Sequence, residues 1–469
     1  MTDGDKNVDK HKRYKTKYGK NELYWGIGIE NEMYLEFENK ALVSSLFFKN
    51  NHKPERYSVN YYNIYKDGHV SNAFNHFMDH KEDIEVPIII NSHSFMHTDT
   101  ENNHKTTYER KPKPNQKFKG ETIHEFLKKT NDYFEKMYDI QFVYDGDTIE
   151  FITQNFYNTT ITSIINELNT IKTIFEEQIQ PIFPYQKEFG KVRIMKENHP
   201  FAIHLTNLTN ISMFNNGTFH FNFTLPTKLD EEGKIENDYL FVKQHRNAIR
   251  ILQLFEPLFI TVYGSHDPFC TTSQSFSASS QRCAVSRYIG IGSYDTEKME
   301  KGKVLTMKTD QCHDQFWYHT YHEKHSSYKK LEEIGLDINF NKHYYHGIEF
   351  RIFDYFPDHL LPELMECIVH LLDHSLEYNI PDIVKTKEWN ELVINCMLSG
   401  KKAYIPYSQS QLFNVCNIPM KKNMNIIDFY HHLRTELKQR YGTTGKCSRH
   451  MLDHVYEIDT KMKHCCILN

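Results

Sequence analysis

The stretch GIGIENEMYLEF, residues 26–37, decides the fold, because its alternation has a period of two and not of three to four. Glu30, Glu32, Tyr34 and Glu36 fall on one face, while Ile29, Met33, Leu35 and Phe37 point oppositely or flank the pattern. Three later stretches repeat the design. In DGDTIEFIT (145–153), Glu150 stands between Ile149 and Phe151. GTFHFNFTLP (217–226) sets Thr218, His220, Asn222 and Thr224 against Phe219, Phe221, Phe223 and Leu225. HGIEFRIFDYF (346–356) sets Glu349 and Arg351 against Ile348, Phe350 and Ile352.

An ordinary half-exposed strand carries Lys, Thr and Ser on its wet face. These four carry Glu, His, Asn and Arg, the donors and acceptors of a metal–nucleotide site. Carboxylates at i and i+2 lie about 7 Å apart along a strand, a spacing that lets each hold a different ion of a cluster, or one ion and its water. Any one such strand alone reads as a solvated sheet face. Four in one chain, three with Glu and one with His and Asn, favour a site.

The remaining composition narrows the class. A chain of 469 residues has room for one large core or several smaller ones, and 30 Tyr with 32 Phe exclude wholesale disorder. With 56 Lys and Arg against 61 Asp and Glu the net charge is -5, so no global basic field exists and nucleic acid is not an expected partner. Residues 1–20 lack an apolar signal-peptide core, and no apolar run of about 18 residues occurs. A cytoplasmic protein without membrane association is therefore expected. Its 9 Cys include no Cys-x-x-Cys pair, which fits reduced thiols better than a disulfide framework or zinc ribbon.

Lys6, Lys10, Lys12, Arg13, Lys15, Lys17 and Lys20 make residues 1–20 a basic, flexible tail. Residues 21–400 read as the catalytic domain, with a polar, turn-rich insertion at about 45–118 whose one buried-strand candidate is 86–90. Helical spacing marks Ile123 to Met137, then Ile161 to Phe175 after the capping candidates Asn158 and Thr159. It marks 239–263 as well, with a kink expected at Pro257, and 361–378, 383–399 and 425–441. Residues 401–469 form a helical carboxy-terminal extension. The class is α+β.

The order of an E-x-E strand, a lone-Glu strand followed by a helix, a His-x-Asn strand and a late E-x-R strand resembles that of carboxylate–amine ligases related to glutamate-cysteine ligase and glutamine synthetase. The amidoligase branch, found in bacteria, fungi and large DNA viruses, is the nearest it resembles, over roughly residues 22–378. The resemblance implies a glutamine synthetase-like fold: a curved antiparallel sheet, backed by helices, whose concave face binds ATP with Mg²⁺ or Mn²⁺. It implies Glu30, Glu32, Glu150 and Glu349 as metal ligands, His220 and Asn222 at the nucleotide or its metal, and Arg351 on the transferring phosphate. The insertion at 45–118 and the tail after 400 match nothing in the family pattern.

Such a site makes an amide from a carboxylate and an amine, either small molecules or peptides, by way of an acyl phosphate. That intermediate needs shielding from water, and SQSFSASSQRCAVSRYIGIGSYDT (273–296), with Arg282 and Arg287, is the candidate covering loop. The competing reading is a surface loop whose arginines pair with acids. Two other functions stay open: a non-catalytic binding protein that keeps the sheet, and a metal-dependent phosphotransferase. Cys283 as a thiol nucleophile, zinc at His343 and His346 or at His431 and His432, and prenylation at Cys466 are weaker readings.

Overall fold

The computed structural model describes residues 24–42, 58–59, 85–90, 121–145, 148–154, 160–199, 201–205, 207–213, 217–230, 234–264, 294–300, 337–341, 347–420 and 422–442. Its strands begin with β1 (Tyr24–Met33), β2 (Leu35–Phe37), β3 (Ala41–Leu42), β4 (Ser58–Val59), β5 (Glu85–Val86), β6 (Ile88–Ile90), β7 (Phe142–Asp145) and β8 (Thr148–Ile152). They continue with β9 (Val192–Ile194), β10 (Phe201–His204), β11 (Asn207–Met213), β12 (Thr218–Thr227), β13 (Ile338–Phe340) and β14 (Ile348–Asp354). The main helices are α1 (Ile123–Thr130), α2 (Asp132–Lys136), α3 (Ile161–Ile179), α4 (Asp238–Tyr263), α5 (Leu361–Glu377), α6 (Lys387–Ser399) and α7 (Ile426–Tyr441).

The protein is mixed α/β, built on a large antiparallel sheet. That sheet has the order β13-β14-β12-β1-β8-β7, and every neighbouring pair is antiparallel. A second sheet, β4-β11-β10-β6-β2-β9, mixes parallel and antiparallel pairs. The apolar candidate at 86–90 forms β5 and β6, divided at Pro87, and β6 lies between β10 and β2 of this second sheet. No helix among the described residues is long and apolar enough to cross a membrane.

The alternation in sequence becomes two unlike faces. Ile27, Ile29, Ile149, Phe151, Phe219, Phe221, Phe223, Ile348, Phe350 and Phe353 are all buried, each contributing about 1.5–3 kcal/mol. Helices close this face: the Phe175 ring of α3 meets Phe151 edge-on at 5.2 Å, and Phe259 of α4 lies 6.0 Å from Phe350 and 5.9 Å from Phe353. Two glycines with left-handed backbone let the strands close. A Cβ on Gly347 (φ +65) would stand 2.3 Å from the Phe223 carbonyl oxygen, and one on Gly217 (φ +112) 2.2 Å from that of Glu32.

Helix α4 runs through Pro257, which has no N–H to give the Gln253 carbonyl four residues back. The indole Nε1 of Trp389, on α6, donates to that carbonyl instead at 3.1 Å. The carboxy-terminal helices share the same core, since the buried hydroxyls of Tyr263 and Tyr430 meet at 2.7 Å and Arg434 pairs with Glu363 at 2.8 Å. The cap of α3 is Thr160, whose side chain accepts the Ser163 N–H. Asn158 and Thr159 lie outside the described residues. The periodicity from Ile123 to Met137 divides into α1 and α2 at Asn131, whose side chain accepts the Tyr133 N–H and starts the second helix.

Candidate metal centre

The polar face of the main sheet consists of three ranks of directly opposed residues, and opposed residues in an antiparallel ladder share a face. In the first, Asn339 of β13, Glu349 of β14, Asn222 of β12 and Gly28 of β1 lie side by side. In the second, His220 of β12 faces Glu30 of β1, which faces Ile152 of β8. In the third, Asp354 of β14, Thr218, Glu32 and Glu150 of β8 form a row. Glu30, Glu32, Glu150, Glu349, His220, Asn222 and Arg351 thus converge on one face, from four adjacent strands.

His220 is at the centre and is 1% exposed. Its Nδ1 stands 3.4 Å from Glu30 and 3.7 Å from Glu349, and its Nε2 stands 3.6 Å from Glu32 and 3.3 Å from the Thr218 hydroxyl. The Asn222 amide donates to Glu30 at 3.0 Å, and Asn339 donates to Glu349 at 2.7 Å. Arg351 Nη1 pairs with the other oxygen of Glu349. Glu32 and Glu150 stand directly opposite each other, which puts their Cβ atoms about 4.5–5.5 Å apart on the same face.

Glu30, His220 and Glu349 each offer a ligand atom within 4.8 Å of the other two. Trans ligands of Mg²⁺ at about 2.1 Å each are about 4.2 Å apart, so small side-chain rotations close the set. The carboxylate oxygens suit Mg²⁺ or Mn²⁺, the imidazole favours Mn²⁺ over Mg²⁺, and the set lacks the thiolates a structural zinc site favours. In the described part of the chain, Cys367, Cys396 and Cys416 are buried, and burial pushes their thiols up to about 12, so they stay protonated and inert.

One expectation is corrected. Glu36 does not extend the row of Glu30 and Glu32: the chain leaves β1 at Met33, and β2 pairs with β9 of the second sheet. There Glu36 is 1% exposed and accepts from Arg193 Nε at 2.8 Å, while Tyr34 packs with Ile89, Met195 and Ala202. Asn339 and Asp354 are additions. Strict alternation from Glu349 and Arg351 puts Asp354 on the apolar face, but a bulge shifts the ladder, since Phe221 opposes Phe350 and Phe219 opposes Phe353. The extra residue brings Asp354 opposite Thr218. Asn339 belongs to a three-residue strand too short to show alternation. Arg282, Arg287, Cys283, His343, His346 and Cys466 lie outside the described residues. His432 is on α7, with Nε2 3.2 Å from the Pro419 carbonyl, and neither it nor His431 belongs to a cluster of potential metal ligands among the described residues.

Fold and face together define a mixed α/β protein with a carboxylate-lined antiparallel sheet. No protein-family model matches the chain. It is 38% identical over 468 residues to "Uncharacterized protein R704" of Acanthamoeba polyphaga mimivirus, an alignment covering 97% of this chain and 82% of that protein. The chain belongs to the family of that mimivirus protein.

Proposed function

We propose that the protein is an ATP-dependent carboxylate–amine ligase of glutamine synthetase-like fold, joining its substrates through an acyl phosphate. The observation that carries this reading is the convergence of four glutamates, His220, Asn222 and Arg351 on one face of an antiparallel sheet backed by helices. Glu30, Glu32, Glu150 and Glu349 would hold Mg²⁺ or Mn²⁺. When bound, the ion neutralises phosphate oxygens. His220 and Asn222 orient the nucleotide and hold Glu30 in place. Arg351 offers a planar donor array to the phosphoryl group as negative charge shifts during transfer, and its pairing with Glu349 keeps it aimed across the face.

A carboxylate is a poor electrophile, and phosphorylation converts its oxygen into a leaving group that an amine displaces. The products are an amide, ADP and phosphate. An ATP-consumption screen over pairs of carboxylates and amines tests this. ADP release that requires both partners supports the ligase. Release that is indifferent to the amine favours a phosphotransferase, and no Mg-ATP thermal shift at all favours a non-catalytic protein.

A further inference from the structure

Behind the polar face, in the apolar layer between α4 and the sheet edge, lie two carboxyl groups. Asp337, which immediately precedes β13, is 1% exposed, and Glu256 of α4 is 2% exposed. The Asp337 carboxylate accepts N–H bonds from Tyr294 (2.9 Å) and Ile338 (2.7 Å) on one oxygen and the Gln253 amide (3.0 Å) on the other. Glu256, one turn along α4 from Gln253, adjoins the same carboxyl. Two carboxyls meet this way only with a proton between them, because two adjacent buried charges repel strongly. The three N–H donors favour charge on the Asp337 side, and the one proton belongs to the pair.

This knot is attached to the metal face. The Asp337 carbonyl accepts the backbone N–H of Arg351 at 2.9 Å, at the bulge of β14. Two residues along, Asn339 holds one oxygen of Glu349 while Arg351 holds the other. Both groups that fix Glu349 are therefore anchored at Asp337. The neighbouring groups are Gln253 and Glu256 on α4, Tyr294 with Asp295 and Glu300 in the 294–300 segment, and Arg250, whose Nε is engaged by Thr296 at 2.9 Å. Among the described residues no lysine or arginine side chain donates a hydrogen bond to Asp337. Burial raises the Asp337 carboxyl above its ordinary value, against the pull of its hydrogen bonds.

We propose that the Glu256–Asp337 carboxyl pair, sharing one proton, is a positioning device that sets Arg351 and Asn339 on Glu349. The positioning role rests on the metal reading of the face; the shared proton does not.

The sign of the pH effect follows from the shared proton. Unfolded, both carboxyls ionise near 4; folded, the pair keeps one proton above that, so its contribution to stability is greatest near pH 4, where the unfolded pair also holds about one proton, and fades as pH rises. Glu256→Gln carries a fixed N–H donor in place of the proton. It should match the wild type near pH 4 and melt higher than it at pH 8. An equal melting difference at both pH values overturns the shared proton. Mn²⁺ titration without nucleotide tests the positioning: Asp337→Asn and the edge-strand variant Asn339→Ala, which leaves the knot intact, should each lose about tenfold in affinity, while Glu256→Gln keeps it. Wild-type Mn²⁺ affinity in folded Asp337→Asn, or in Asn339→Ala if Asp337→Asn does not fold, overturns the positioning role. A wild type that binds no Mn²⁺ overturns the metal reading and the positioning role together, and the melting comparison still decides the shared proton.

Discussion

His220 lies directly across the β1–β12 ladder from Glu30, and its Nδ1 stands 3.4 Å from that carboxylate. The same ring stands within 3.7 Å of Glu32 and Glu349, so one imidazole separates three acids. His220→Ala should leave those acids facing one another and cost about 1–3 kcal/mol in metal-free buffer. Added Mn²⁺ should stabilise the wild type more than the variant, which lacks one of the three ligand atoms, so the gap widens in urea unfolding with the ion. A loss that ignores the ion makes His220 a packing residue only.

Arg351→Lys should lower turnover far more than it weakens ATP binding. Lysine keeps the charge but cannot fork across a planar array of oxygens, and Arg351 is already directed by Glu349. Steady-state kinetics beside a nucleotide-binding titration separate the two effects. An unchanged turnover number would assign Arg351 to a structural ion pair.

Trp389→Phe should cost about 1–3 kcal/mol beyond its lost volume, because the Gln253 carbonyl is left buried without a donor. In a Pro257→Ala background residue 257 regains its N–H, and the cost of losing the indole should shrink. A double-mutant cycle by denaturant unfolding reads the coupling. Strict additivity would disconnect the tryptophan from the proline.

Acid should act through His245. It is fully buried, its Nε2 accepts the Leu225 N–H at 3.1 Å and its Nδ1 donates to the Phe241 carbonyl at 2.8 Å, so a second proton has no acceptor. Burial lowers its pKa from 6.5 to about 4. A lowered histidine pKa has no effect where both states are neutral, and it costs stability as pH falls from 6.5 toward 4, where only the unfolded chain takes the proton. His245→Gln should therefore be less stable than wild type at pH 7.5, with the gap narrowing by about 2–3 kcal/mol toward pH 4.5. A gap that does not change with pH would show that the ring is not kept neutral.

The main sheet was legible because each of its site strands alternates strictly, and the period of two carries both the fold and the face. What alternation cannot show is where a ladder slips or a strand changes sheets. Asp354 reaches the polar face through a bulge set by the partner strand, and Glu36 leaves it because the backbone passes into the second sheet at Tyr34. Both events depend on residues more than a hundred positions away. The Glu256–Asp337 pair was illegible for a related reason: Glu256 reads as one polar position in an apolar helix, and only the tertiary fold brings Asp337 to it.

Mn²⁺ titration of the nucleotide-free protein by calorimetry, beside Glu30→Gln and Glu349→Gln, tests the metal centre most directly. Each amide keeps the shape of its carboxylate and removes the charge that holds the ion. The wild type should bind Mn²⁺, and each variant should bind at least about tenfold more weakly while it still unfolds cooperatively in metal-free buffer. A wild type that binds no divalent ion, or variants that bind as tightly as it does, would contradict a metal centre on this face.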